Sequence, residues 1–323
     1  MPFASSLPSV CPAAAGKKAA DIANCARQLR RALFGLCLLL CALPCVIPQP
    51  AWAITISDDA GNTVHFDQPA RRIIGLYGAY AEILLALGLP ESLVGRTAAD
   101  AALPAVAHLP VVGTHMRPDP ESIVALKPDL ILQLAGRNEV QAQMQALQAL
   151  GLNVLCFELQ SFEDLFRVTQ LLGQITGRTA QAAALVAGWQ QRLHAIEQTL
   201  AGSKAVSVFF EVRYPNLLAA GKGSIVDDII HRAGGVNVVQ EEKKLVRLNE
   251  EALLLLKPDA YVVQHGAMNS LSEPVATRRH FALLPAVRAG RVLQVEEALF
   301  SRTGPRALDA VELLARWLHP ELF

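Results

Sequence analysis

Asp119-Pro120-Glu121-Ser122-Ile123-Val124-Ala125-Leu126-Lys127-Pro128-Asp129-Leu130-Ile131-Leu132 has a twin far downstream. The twin is Asn249-Glu250-Glu251-Ala252-Leu253-Leu254-Leu255-Leu256-Lys257-Pro258-Asp259-Ala260-Tyr261-Val262-Val263. Each begins with a residue suited to cap a helix, Asp119 or Asn249, followed two positions on by Glu121 or Glu251. Each reaches Leu-Lys-Pro-Asp, where lysine suits a helix C-terminus and proline stops the helix. Each then runs into a short apolar strand. A βα-type element that occurs twice at this separation predicts duplicated lobes rather than a solenoid.

Working outward, the surrounding sequence repeats the alternation of strand and helix. Residues 54–66 read as a hairpin turning at Asp59-Ala60-Gly61-Asn62. Arg72–Leu76 is a buried strand, and Ala79–Leu87 a helix ended by Gly88. Further strands are expected at 93–96, 111–112 and 153–157, and a helix at 139–150. From Ala180 to Ala201 the chain has no proline and a single glycine, Gly188. As one helix this stretch would be about 33 Å long, enough to connect two bodies. The α/β pattern then restarts with strand 206–212, helix 225–233, the second twin, strand 292–295 and a closing helix 305–318. The fold class is therefore α/β: two lobes with mostly parallel sheets, one long backbone helix between them, and a ligand cleft between the lobes. The expected boundaries are 54–178, 179–202 and 203–323.

Residues 1–53 are of another character. Arg27, Arg30 and Arg31 precede an apolar run from Ala32 to Ile47, and Ala51-Trp52-Ala53 follows. This is the pattern of a secretory signal peptide cleaved near Ala53, with an uncleaved anchor as the alternative. Five of the six cysteines lie there, leaving Cys156 in an apolar strand as a buried structural thiol. The formal net charge of zero points to neither nucleic acid nor an acidic polymer.

Several stretches, in their order and spacing, resemble the helical-backbone class of periplasmic substrate-binding proteins of ABC importers, which serve iron–siderophore complexes, haem and cobalamin. They are Arg72-Ile73-Ile74, Glu82 through Gly88, Glu121 through Asp129, Gly221-Lys222-Gly223-Ser224, Gly234-Gly235-Val236-Asn237, Glu251 through Asp259 and Gly304-Pro305-Arg306. The resemblance spans nearly all of residues 54–320. It implies an exported, monomeric binding protein with no intrinsic cofactor. Such a protein clamps a metal chelate between its lobes and passes it to a permease dimer driven by an ATPase. It also implies that one surface carboxylate per lobe, Glu121 and Glu251, docks onto the permease. The plain alternative for either is a first-turn acid favoured by the helix dipole.

Ligands of open α/β sheets bind beyond the carboxyl ends of the strands. Applied strand by strand, that rule nominates Tyr77, Tyr80, His115, Met116, Arg117, Arg137, Arg213, Tyr214, His265 and Arg302. Arginines pair with the oxygens of an anionic chelate, and Tyr and His stack or coordinate metal. The set predicts an iron chelate, siderophore or haem. Cobalamin is the alternative ligand, although Leu134, Val212 and Leu245 stand where a cobalamin-binding relative has aromatics. A sensor subunit is a second functional class. An enzyme is a third, unsupported by any nucleophile elbow, zinc-protease, phosphate-loop or dinucleotide motif.

Overall fold

The computed structural model describes residues 52–136, 138–270 and 273–323. The leader up to Ala51 and the candidate Arg137 lie outside the described residues.

The first lobe opens with a hairpin, β1 (Ile54–Ser57) and β2 (Thr63–Phe66). Asp58 closes its turn by accepting from the Ala60 and Asn62 amides, at 3.0 and 2.7 Å. Then follow β3 (Ile73–Gly75), α1 (Gly78–Ala86), β4 (Leu93–Gly95), α2 (Pro120–Ala125), β5 (Leu130–Leu134), α3 (Asn138–Ala149), β6 (Val154–Phe157) and α4 (Phe162–Ile175). The sheet order is β4-β3-β5-β6, with every pair parallel. The strand expected at 111–112 is only a single bridge from Val111 to Arg96. Pro110 lacks an amide and Gly113 turns the chain, so no ladder can extend there.

The second lobe contains β7 (Val206–Arg213), β8 (Leu218–Ala220), α6 (Ile225–Arg232), β9 (Gly235–Asn237), β10 (Leu245–Arg247), α7 (Glu250–Leu256), β11 (Ala260–His265), α8 (Pro285–Arg288), β12 (Val292–Glu296), α9 (Glu297–Phe300) and α10 (Ala307–Leu318), with α5 (Thr179–Thr199) preceding it. Its path is β10-β8-β7-β11-β12, with β9 also on β7. Only the β7–β8 and β8–β10 pairs are antiparallel.

The twin segments adopt one design. Asp119 accepts the Glu121 amide at 3.2 Å, and Asn249 accepts the Ala252 amide at 2.8 Å. Lys127 and Lys257 both take the left-handed conformation with φ 47°. The following proline disfavours the helical region for the residue before it, so each lysine leaves the helix abruptly. The aspartate then stitches the incoming strand to its neighbour. Asp129 accepts the Arg71 and Arg72 amides, and Asp259 accepts the Ser207 hydroxyl at 2.7 Å.

The helix α5 is the spine. Its 21 residues bury the stripe Ala182, Val186, Leu193 and Ile196, and one apolar core continues past it from strands of the first lobe to α10 of the second. Polar ties reinforce the join. Arg232 meets Glu163, Glu197 and Asp228 at 2.6, 2.9 and 2.9 Å. The Phe162 amide donates to Asp228 at 2.8 Å, and the Thr303 hydroxyl to the Leu159 carbonyl at 2.8 Å. The protein is thus a two-lobed α/β molecule with mostly parallel sheets on a helical backbone.

Candidate functional site

A cleft of ≈ 360 Å³ lies between the lobes, within the size range of small-molecule sites. The first lobe contributes Tyr77, His115, Met116, the segment Gln133–Gly136, Val140 and the segment Glu158–Gln160. The second contributes Val212, Ala220, Ser224–Val226, Lys244, Leu245, Met268, Glu297 and Ser301. Most of this wall is apolar.

Its polar centre is built from two loops. Tyr77 leaves the end of β3 and caps α1, half-buried. Its hydroxyl reaches the Ser301 carbonyl across the cleft at 3.5 Å. Burial pushes the Tyr77 phenol up to about 12, the nearby Arg302 guanidinium pulling it the other way. His115 and Met116 form the tip of a turn closed by paired backbone bonds between Thr114 and Arg117, at 3.0 and 3.2 Å. Two glutamine amides pin that tip: Gln133 donates to the His115 carbonyl at 2.8 Å and Gln143 to the Met116 carbonyl at 3.0 Å. The Tyr77 and His115 rings meet edge to face, 6.4 Å between centroids. A phenol, an imidazole and a thioether therefore face one space, and all three are iron ligands in haem proteins.

The remaining nominees fall elsewhere. Tyr80 is fully buried and spends its hydroxyl on the Gln133 and Phe157 carbonyls, at 2.8 and 3.3 Å. It belongs to the core, because α1 turns it onto the sheet. Tyr214 donates to Glu250 at 3.1 Å and lies under the Arg278 guanidinium, 4.1 Å from ring centroid to cation. Arg302 is held between buried carboxylates of the first lobe, Glu82 at 3.1 Å and Asp100 at 3.8 Å. It ties the lobes together and is not among the residues lining the cleft. Arg213 does not line the cleft and its Nε is buried without a hydrogen-bond partner among the described residues. Arg117 and His265 are exposed outside the lining. The arginine rim expected from strand ends is not formed by these residues.

Glu121 and Glu251 are exposed in the first turns of α2 and α7. Glu250 is the one engaged by Tyr214, which leaves Glu251 as the equivalent of Glu121.

Among the described residues, no group of three or more His, Cys, Asp or Glu could hold a bare metal ion, and no helix is long and apolar enough to cross a membrane. Cys156 is buried, its thiol pushed up to about 12 by burial and by Asp58. Leu134, Val212 and Leu245 all line the cleft, so its wall is aliphatic at those three positions.

The two-lobed architecture and interlobe cleft define a ligand-capturing class, and the family model of the periplasmic binding proteins matches residues 73–299. The chain belongs to that family. It is 29% identical over 278 residues to an uncharacterized ABC transporter substrate-binding lipoprotein of Bacillus subtilis, covering 84% of this chain and 87% of that one. It is 24% identical over 252 residues to the vitamin B12-binding protein of Vibrio cholerae, covering 77% of this chain and 90% of that one. A periplasmic haem-binding protein solved with two haems superposes with a TM-score of 0.68 at 27% identity, covering 78% of this chain and 99% of that one.

Proposed function

We propose that this chain is the substrate-binding component of an ABC importer, that it captures an iron tetrapyrrole, haem, between its lobes, and that it delivers haem to a permease dimer. The observation that carries the ligand is Tyr77, His115 and Met116 on one wall of a mostly apolar cleft. A flat macrocycle gains from apolar walls, and its iron needs an axial donor that such a wall supplies. An anionic siderophore would call for converging arginines, and among the described residues no arginine lines the cleft. The protein binds and transfers its ligand without transforming it. Export fits the order of elements, since β1 begins at Ile54, directly after the small residues at which the leader would be cut.

Delivery would use Glu121 and Glu251, which occupy equivalent first turns in the twin segments. Replacing both by alanine should leave ligand affinity unchanged and abolish uptake in cells. Normal uptake by the double variant refutes that assignment.

Cobalamin is the second reading, favoured by the Vibrio cholerae relative. Titration of the purified mature chain with haemin, cyanocobalamin and a ferric hydroxamate separates the readings. A saturable Soret shift with haemin and no response to the others is expected. Saturation by cyanocobalamin alone overturns the haem assignment in favour of the corrin.

A further inference from the structure

The turn that carries His115 and Met116 into the cleft has little in its own sequence to hold it in place. It is a two-residue hairpin flanked by an isolated bridge, Gly113 to Pro118. Gly113 lets it close: φ is 92°, and a Cβ there would lie 2.4 Å from the Arg117 carbonyl oxygen. The Thr114 hydroxyl accepts the Arg117 amide at 3.0 Å. A hairpin this short is marginal by itself, so contacts from other elements decide where its tip stands.

The two glutamines that meet the tip differ in kind. Gln133, on β5, is fully buried and itself lines the cleft. Both ends of its amide are engaged: Nε2 donates to the His115 carbonyl and Oε1 accepts the Leu134 amide, each at 2.8 Å. Gln143, on α3, is not part of the lining. It sits beside Val140, Met144 and Leu147, which belong to the core cluster against which Met116 packs. Its Nε2 donates to the Met116 carbonyl at 3.0 Å, while its Oε1 is buried with no hydrogen-bond partner among the described residues. Turning the amide over would set Oε1 against the Met116 carbonyl, acceptor facing acceptor. A buried acceptor without a donor is destabilising, and a leucine at the same place would carry no such penalty. Gln143 thus weakens the packing it belongs to, and what it supplies is a bond to the tip.

We infer that Gln143 is a positioning residue: from outside the cleft it sets where the His115–Met116 tip stands against Tyr77, and so which donors of that wall a captured iron meets. This rests on the haem reading above. The Tyr77 and His115 rings keep their edge-to-face approach only while the tip is held.

The test is a haemin titration of wild type, Gln143→Leu and Gln143→Glu. It follows affinity, the Soret and visible bands of the ferric complex, and the denaturation midpoint of the ligand-free protein. Leucine removes the donor and the unsatisfied oxygen together. It should leave the midpoint equal or higher, shift the ferric bands, and weaken haemin about fivefold, the worth of one neutral hydrogen bond. Glutamate separates the donor from the shape. Protonated, its carboxyl can donate to the Met116 carbonyl; ionised, it has only acceptors. Its affinity relative to wild type at the same pH should approach parity at about pH 5 and fall to the leucine value or below at about pH 8. Wild-type bands and affinity in Gln143→Leu overturn the assignment and leave the haem reading intact. So does a Gln143→Glu ratio that ignores pH, or an affinity that falls only together with the midpoint. A wild type that gives no Soret complex overturns both.

Discussion

Replacing Arg278 by methionine probes the strongest polar commitment in the second lobe. Neither the Arg278 nor the Glu211 side chain is exposed, and each is the other's ion-pair partner. Arg278 Nη2 donates to Glu211 Oε1 at 3.0 Å, Nη1 donates to Oε2, and Nε donates to the Glu273 carbonyl at 2.9 Å. The guanidinium also stacks 4.1 Å from the Tyr214 ring. Methionine fills the space but leaves Glu211 as a buried charge without its cation. Removing one partner of such a pair costs about 3–5 kcal/mol. The Tyr261 hydroxyl at 2.5 Å and the Asn269 amide at 3.2 Å still satisfy Glu211, which favours the lower end, and loss of the stacking adds about 1 kcal/mol. The expected loss is thus about 4 kcal/mol. At about 2 °C per kcal/mol for a chain of this size, Tm falls by about 8 °C. Urea denaturation with a common slope gives the free energy directly. The double variant Glu211→Gln with Arg278→Met carries no buried charge and should recover about half of the loss. An Arg278→Met protein within 1 kcal/mol of wild type would refute the reasoning, as would a double variant no better than the single one.

Further outcomes follow from the same structure. Burial raises the Tyr77 phenol to about 12, so the proposed binding of iron through its phenolate would release a proton near neutrality. Haemin affinity, measured by Soret titration, should rise from pH 7 to 9 in wild type and lose that slope in Tyr77→Phe. Burial raises the Glu82 carboxyl, with Arg302 pulling it back. A raised folded-state pKa makes a contribution to stability that is present below the unfolded value and lost as pH rises through the folded one. Glu82→Gln should therefore match or exceed wild-type stability at pH 8 and lose that advantage below about pH 4, as read from denaturation midpoints across pH. Gly221→Ala forces a methyl against the Lys243 carbonyl and should cost about 1–3 kcal/mol. Haemin affinity should fall with it, and an unchanged denaturation midpoint would show that the loop yields freely.

The twin segments were readable because each device in them is local. A capping side chain, a proline that ends a helix and an aspartate that ties the next strand act within a few residues. Tyr77, His115 and Met116 do line the cleft, as expected of a strand-end rule that specifies position. The same rule failed for Arg213 and Tyr214 because it does not specify the face. Val212 lines the cleft, side chains alternate along a strand, and an irregularity lies between Glu211 and Arg213. Tyr80 and Arg302 were lost to partners distant in sequence, the Gln133 carbonyl and Glu82. Glu158–Gln160 were within reach of the rule, since they follow the strand at 153–157, which was recognised. Lys244 was not, because its position depends on how one loop rests on two glycines.

The proposed occupant of the interlobe cleft is an iron tetrapyrrole. The most direct measurement is native mass spectrometry, with an absorption spectrum, of the chain exported by its own cell under haem-replete conditions. One haem per chain and a Soret band, both lost together in the Tyr77→Phe, His115→Ala variant, is the predicted result. A bound corrinoid or siderophore mass, or full haem loading in that variant, would contradict it.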